Sequence, residues 1–566
     1  MTSPAQSATR WRLRNPRARE QAIRGFPPIV GTVLAARGIT TRPQADIFYK
    51  PHLVPDHDPL LLPGMTEAIR RTQSAIREKE TIALYGDFDV DGVTSVAVLT
   101  LGLRALGAIT VPYIPDRFSE GYGLNSRAVS LIRDEKHASL LVTADCGISS
   151  VDEVAHANSV GLDVIILDHH TVTEVLPPAL AAVNPKRPDS VYPFNELAAV
   201  GVSFRFLEVL YETEGRTLDS SQLIDLVALG TVVDVAPLAD ENRAIVTSGL
   251  AEMQRGLRPG LEALSRVSGV QAEQFDSGTL GFAIGPRMNA AGRLEHANLA
   301  LDLVLSERPE ESAKLAEQLD ELNRQRRQQT EDAMARIEEE LGDVRDPLIL
   351  VASDQVHAGI VGIVAGRLAE KYHRPAIVFE KGPATSRGSA RSIAEFDIVS
   401  AIHNEKDILL KHGGHRAAAG LTVPTENLGE LRSRLVNTAA ELLTEEQLQP
   451  LVEVDAETKL GKLAGLEIQG LMRFEPCGHG NSRPVLLSRG VTLADSRQVG
   501  ADGDHLKVRL RDGAATWPGI IFRRGDFECE GPVDVVYSLS KEWHSERLEL
   551  EILDIAPAAE GRPLSG

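Results

Sequence analysis

The sequence predicts two α/β lobes joined by a helical connector and followed by a small, oligonucleotide-binding-like β-barrel. Three observations predict it. Short aliphatic runs without polar alternation recur between helical stretches, first within residues 76–306 and again within 346–447. A highly charged stretch with apolar residues at helical spacing, 307–345, separates them. From 450 to 560 the runs alternate polar and apolar between Gly and Asp turns. The length of 566 residues is about four times the ~150 residues of a typical domain, so two to four domains are expected. An apolar fraction of 43% with 25% charged residues excludes global disorder and collagen-like repeats.

The elements follow in order. Residues 1–75 read as an N-terminal helical arm ending in TEAIRRTQSAIREKE. TIALYGD, LLVTADCG and DVIILDHH are aliphatic runs suited to strands buried on both faces of a parallel sheet. VTSVAVLTLGLRALG and VDEVAHANSVG supply the helices between them, and strand–helix alternation at this spacing is an α/β signature. DLVALGTVVDVAPL continues the pattern to about residue 240. Residues 307–345 read as one long or two shorter helices. PLILVASDQVHAGIVGIVAGRLAEKY opens the second lobe, RPAIVFE continues it, and HGGHRAAAG leads to its last helix near 447. VTLADSRQV, HLKVRLRDG, TWPGIIFR, VDVVYSLS and LELEILDI are the barrel strands.

Asp and Glu number 80 against 60 Lys and Arg, a net charge of −20 that argues against a globally basic nucleic-acid coat. Local basic channels and carboxylates gathered round cations remain compatible with it. Cys146, Cys477 and Cys529 are scattered, so neither a disulfide framework nor a CxxC zinc pair is expected and a reducing, cytoplasmic setting follows. The N-terminus is basic, without an acid before Glu20 and without the apolar core of a secretory signal. It reads as an exposed arm able to touch phosphate, with a transit peptide as the lesser alternative. No run approaches the ~18 apolar residues of a membrane span.

The chemistry gathers where the runs end. Asp87, Asp89 and Asp91 leave the first together, Asp145 ends the second, Asp168, His169 and His170 end the third, and Asp234 ends ALGTVV. Ligands of open α/β sheets bind at the carboxyl ends of strands, and four coincidences exceed what turn preference for Asp explains. Oxygen donors with imidazole and no thiolate suit Mg²⁺ or Mn²⁺. So many donors exceed one ion's needs; two ions roughly 3.5–4 Å apart with a shared carboxylate would serve phosphoryl displacement.

DFDVDG, TADCG, DHH and VVDVAPL resemble the four motifs of the DHH phosphoesterase superfamily. GPRMNAAGRL (285–294) is similar to a stretch of the RecJ exonuclease family, GSARSIAEFDI (388–398) and HGGHRAAAG (412–420) resemble the associated DHHA1 domain, and FEPCGHGNSRPVL (474–486) resembles the lead into the family's barrel. The resemblance implies Asp89 and Asp91 as ligands of one ion each with Asp87 beside them, Asp145 as the bridge, and His169 and Asp234 as further ligands. It implies that His170 faces the scissile phosphate and that Asp168 orients an imidazole. Asn289, Arg293, Ser389, Arg391, His415 and Arg416 are the implied phosphate-binding groups, with the glycines of HGGHRAAAG forming an anion cradle. Lys507, Arg509 and Arg511 alternate along one strand and so share a face, with Trp517, Phe522 and Tyr537 nearby as stacking candidates or, alternatively, as barrel core.

The resemblance further implies a two-metal exonuclease of single-stranded DNA with 5′→3′ polarity and release of 5′-mononucleotides, acting in recombination and repair. Single-stranded-DNA-binding protein and a helicase are the implied protein partners. The alternatives are a DHH phosphodiesterase of short oligonucleotides or cyclic dinucleotides and a non-catalytic DNA-binding replication factor. The resemblance divides the chain into the arm 1–75, a DHH domain 76–306, the connector 307–345, a DHHA1 domain 346–447 and the barrel 450–560.

Overall fold

The computed structural model describes residues 9–558 except 55, 122, 501, 502, 526, 528, 530 and 543–546. Residues 1–8 of the expected arm and 559–560 of the expected barrel domain lie outside the described residues.

The chain begins with a strand, β1 (Arg10–Leu13), followed by helices Pro28–Ala36 and Arg42–Tyr49. A parallel sheet comes next: β2 (Thr81–Gly86), β3 (Ile109–Tyr113), β4 (Leu140–Ala144), β5 (Asp163–Leu167) and β6 (Ala181–Val183), in spatial order β3-β2-β4-β5-β6. β2, β4 and β5 are buried along nearly their whole length, as continuous aliphatic runs require. Their register decides the site. Gly86 pairs with Ala144, and Ala144 with Leu167, so Asp87, Asp145 and Asp168 leave the sheet side by side. The helix Val90–Ala105 is apolar on almost every face because it packs between the sheet and the helices Ala199–Thr213 and Ile224–Val233.

One helix of 33 residues, Pro309–Leu341, forms the connector. The second lobe holds β7 (Ile349–Ser353), β8 (Ala376–Glu380), β9 (Thr385–Arg391), β10 (Lys411–His415) and β11 (Ala418–Pro424), in order β10-β11-β9-β8-β7, with only β7 and β8 parallel. The last part comprises β12 (Leu451–Val454), β13 (Ala456–Glu457), β14 (Leu486–Val499), β15 (His505–Asp512), β16 (Ala515–Ile521), β17 (Pro532–Lys541) and β18 (Leu548–Pro557). Pairing of β14 with both β15 and β17 closes five of these strands into a barrel, which removes the exposed edges of an open sheet.

Three sequence expectations need correction. ALGTVV is not a strand: it lies in the helix Ile224–Val233, because an unbroken apolar run also suits a helix enclosed on all sides. HGGHRAAAG forms the hairpin β10–β11, with Gly413 opposite Gly420. Residues 1–75 are not a separate helical arm. β1 pairs in parallel with β12, and Ile29, Val30, Val33 and Leu34 share one core with barrel residues, whereas Leu62, Met65 and Ile69 belong to the core of the first lobe. The basic start does not wait for phosphate either, since Arg10 pairs with Glu446, Arg12 with Glu453 and Arg14 with Asp455.

A buried guanidinium fixes the barrel to the first lobe. Arg243 donates to the carbonyls of Phe48, Phe474, Glu475 and Pro476 and lies 4.2 Å from the Phe48 ring centroid.

Candidate metal centre

Asp87, Asp91, Asp145 and Asp168 are almost fully buried at the ends of their elements. Burying several carboxylates together is strongly unfavourable unless hydrogen bonds or cations compensate them. Backbone amides account for part. Asp89 Oδ1 accepts from the amides of Asp91 (3.0 Å) and Gly92 (3.1 Å), capping the helix that carries Asp91. The two Asp91 oxygens accept from the amides of Ala199 (2.8 Å) and Val200 (2.9 Å), where the positive end of the helix Ala199–Thr213 favours negative charge. Asp168 Oδ1 accepts from the amides of His169 and His170 and meets His170 Nδ1 at 2.8 Å, and its Oδ2 accepts from Ile148 N–H.

The remainder is uncompensated by protein. Asp87 Oδ1, Asp145 Oδ1 and His169 Nε2 are buried with no hydrogen-bond partner. Three groups of possible ligand atoms, each spanning no more than 4.8 Å, occur among the described residues: Asp87–Asp89–Asp145, Asp91–His169–Asp234 and Asp145–His169–His170. Asp145 and His169 each belong to two of them, and Asp145 Oδ1 lies 3.3 Å from His169 Nε2. Asp145 also takes a left-handed backbone, φ 63°, a conformation that is uncommon outside glycine and is retained where surrounding structure enforces it. Oxygen and imidazole donors with orphaned buried atoms fit divalent cations.

The electrostatics agree. Burial, then the neighbouring carboxylate charges, pushes Asp87, Asp145 and Asp234 well above the usual carboxylate range and Asp91 up to about 7. Burial and the charge of His170 push His169 down to about 3, leaving the neutral imidazole that a cation requires. Burial alone would raise Asp168, but the hydrogen bond and charge of His170 outweigh it and hold the carboxyl below its usual range. Burial alone would lower His170, and Asp168 reverses that. The two behave as an ion pair in which the carboxylate orients the ring.

A cluster of arginines stands beside the acids. Arg293 lies on the helix Gly285–Leu294, which also carries half-buried Asn289, and donates to Gly359 O at 3.2 Å. Burial, followed by the charges of Arg117, Arg326 and Arg391, pushes it down to about 9. Arg391 donates to Ser389 Oγ at 3.0 Å, and Arg117 lies 4.8 Å from the Phe88 ring centroid. From the second lobe, exposed His415 stacks near His170 with ring centroids 6.4 Å apart, while exposed Arg416 donates to Ala394 O at 3.2 Å.

Arg117 escaped the sequence reading because β3 did: Pro112 interrupts its run, as proline is tolerated in an edge strand. Lys186 was also missed. It follows the turn in which Asn184 Nδ2 donates to His170 O at 3.0 Å, and its charge is felt at His169, Asp234 and His415.

In the barrel, Lys507 pairs with Glu542, while Arg509 and Arg511 are exposed on the same face of β15. Trp517 is half-buried against the barrel core. Tyr537 is fully buried with its hydroxyl 2.9 Å from Ser488 Oγ, so it is a core residue and not a stacking platform. Phe522 is 49% exposed.

Three family descriptions match in chain order: the DHH family N-terminal domain at 81–231, the DHHA1 domain at 346–441 and the RecJ OB domain at 454–554. The single-stranded-DNA-specific exonuclease RecJ of Bacillus subtilis is 39% identical over 544 residues, covering 94% of this chain and 68% of that one. This chain belongs to the RecJ family. The crystal structure of RecJ in complex with Mn²⁺ from Thermus thermophilus superimposes with a TM-score of 0.83 at 29% identity, covering 99% of this chain and 80% of that one. RecJ from the same organism in complex with Mg²⁺ gives a TM-score of 0.77 at 27% identity, covering 99% and 79%. No helix among the described residues is long and apolar enough to cross a membrane.

Proposed function

We propose that this chain is a metal-dependent exonuclease that hydrolyses single-stranded DNA from the 5′ end and releases 5′-mononucleotides. The observation that carries the reading is the meeting of orphaned donor atoms on Asp87, Asp145 and His169 beside a cluster of buried arginines. Asp87, Asp89 and Asp145 would hold one Mn²⁺ or Mg²⁺ ion, and Asp91, Asp145, His169 and Asp234 a second. Bound there, the ions supply Lewis acidity that acidifies water and neutralises charge on the scissile phosphate. Asp168 favours the protonated form of His170 and aims the ring at the phosphate, where it would offset developing negative charge.

Arg117, Arg293, Ser389 and Arg391 grip the terminal phosphate, and this end-binding pocket supports exonucleolytic action. Asn289, His415 and Arg416 hold neighbouring phosphates from the two sides of the cleft. Lys507, Arg509, Arg511 and Trp517 hold the incoming strand at the barrel. The working units are 76–306, 346–447 and 450–560, with 307–345 as connector. The protein acts in the cytoplasm in recombination and repair, with single-stranded-DNA-binding protein and a helicase as partners.

End-labelled single-stranded DNA, duplex DNA, RNA and cyclic dinucleotides incubated with Mn²⁺ or Mg²⁺ test this. Mononucleotides released from the 5′ end of single strands are expected. Cleavage confined to dinucleotides, or binding of DNA without hydrolysis, would overturn it.

A further inference from the structure

The edge of the second-lobe sheet holds an imidazole pair that the chemistry above leaves unused. β10 is the outermost strand of that sheet, with β11 on its inner side. Four of its five residues are exposed, and His412 alone is half-buried. Gly413 and Gly414 bring no side chains to hold it. A sheet edge carries unpaired backbone groups and is commonly covered or pinned by a neighbouring element. The helix Ile398–Asn404 lies beside β10, anchored through buried Ile398, Ala401 and Ile402. Exposed His403, in the last turn of that helix, reaches His412, with its Nδ1 3.0 Å from His412 Nε2. The ring centroids are 5.2 Å apart.

Two neutral imidazoles at this distance share one proton, the N–H of one ring facing the bare nitrogen of the other. A divalent cation can take the place of that proton, and both nitrogens then act as ligands. Bonds of about 2.0–2.1 Å put two ligand nitrogens about 2.9 Å apart at a right angle and about 3.4 Å apart in a tetrahedron. The observed 3.0 Å lies within that span. Among the described residues, the clusters of three or more potential ligands all lie in the metal centre, so water would complete the coordination at this pair. Donors consisting of imidazole alone suit Zn²⁺, Cu²⁺ or Ni²⁺, whereas the oxygen-rich metal centre suits Mn²⁺ or Mg²⁺.

We propose that His403 and His412 form a cation site outside the metal centre, which takes Zn²⁺ and fastens β10 to the helix Ile398–Asn404. The consequence reaches the cleft along the strand. β10 ends in His415, whose ring centroid is 6.4 Å from that of His170 and whose Nδ1 lies 3.5 Å from Thr171 Oγ1. Only Gly413 and Gly414 separate it from His412, and glycine is the least restrained of residues. Gly414 has φ 145°, and a Cβ there would stand 2.3 Å from Ala418 O. An ion at the pair therefore restrains the pliant strand that presents His415 to the first lobe. The site stands on the second lobe alone and holds for any phosphoester the metal centre cleaves.

Calorimetric titration with Zn²⁺ of the full-length protein saturated with Mg²⁺ tests the site. The wild-type protein should bind one more Zn²⁺ than His403→Ala or His412→Ala. His403→Cys, which offers a thiolate in place of the imidazole, should keep that ion. With Zn²⁺ present, hydrogen exchange at residues 411–415 should slow in the wild type and stay unchanged in both alanine variants. Mn²⁺ titration of the metal centre should be the same in all four proteins, which separates the new site from the catalytic one. Equal Zn²⁺ stoichiometry in the wild type and the alanine variants would overturn the site. Zn²⁺ bound at the pair with no slowing of exchange at 411–415 would overturn the fastening of β10.

Discussion

The metal centre and the β15 face of the barrel handle charge in opposite ways. The first buries its carboxylates at the ends of neighbouring strands and helices and leaves several donor atoms without a protein partner. The second displays Arg509 and Arg511 on an open strand face in contact with water. Buried like charges raise one another's proton affinity and destabilise the metal-free fold, whereas exposed cations cost little and act through counterion release. The first region is thus built for one fixed geometry and the second for a passing polyanion.

The largest effect should come from neutralising the shared carboxylate. Asp145→Asn should lower hydrolysis by several orders of magnitude while leaving DNA binding in place, because affinity resides in distant phosphate contacts. The same substitution should raise the melting temperature of the metal-free protein at neutral pH, since it removes a carboxyl that burial, and then Asp89, Asp91 and Asp234, force the folded protein to hold against ionisation. A fall in melting temperature would contradict that crowding and erase the difference between the regions.

A dependence on pH follows from the same burial. Asp91 titrates near 7 in the folded protein against an ordinary value of 3.8, so its contribution to stability is full below about 4 and is lost as pH rises through 7. Metal-free protein should therefore melt at a lower temperature at pH 8 than at pH 5.5. Mn²⁺, which displaces those protons, should restore more stability at pH 8. Equal Mn²⁺ shifts at both values would contradict the protonated cluster.

Intermediate effects belong to the histidine pair. His170→Ala should lower kcat about 10²- to 10³-fold, as expected for lost stabilisation of developing charge, with metal affinity nearly retained. His169→Ala should lose metal affinity itself. Calorimetric Mn²⁺ titrations that fell equally in the two variants would erase the distinction.

Much of this was legible in the sequence, and the limits have physical causes. Three aliphatic runs ending in Asp87, Asp145 and Asp168 identify buried parallel strands, and register then brings their ends together. Asp234 was found through a run that is a helix, because enclosure on all sides erases the difference between the two patterns. Arg117 and Arg326 carry no local signal, since their significance arises only when separate elements bring guanidinium groups together around Arg293. The N-terminal segment misled for a similar reason. Its strand pairs with β12, more than 400 positions away, and its helices complete the barrel core. Deleting the barrel would strip that core, so point substitutions are the cleaner probes.

The smallest effect is therefore expected from Arg509→Ala with Arg511→Ala. Each removed phosphate contact should lower the magnitude of the salt slope of DNA binding by about 1, with weakening spread evenly over sequences. An unchanged slope would transfer the barrel face from nucleic acid to another partner.

Metal stoichiometry decides whether one carboxylate serves two ions. Titration of the full-length protein with Mn²⁺, read by calorimetry and by electron paramagnetic resonance, should give two ions per chain with a spin-coupled spectrum. Asp145→Asn should abolish the coupling and weaken both sites. Retention of two coupled ions with unchanged affinity in Asp145→Asn would contradict the shared-carboxylate centre.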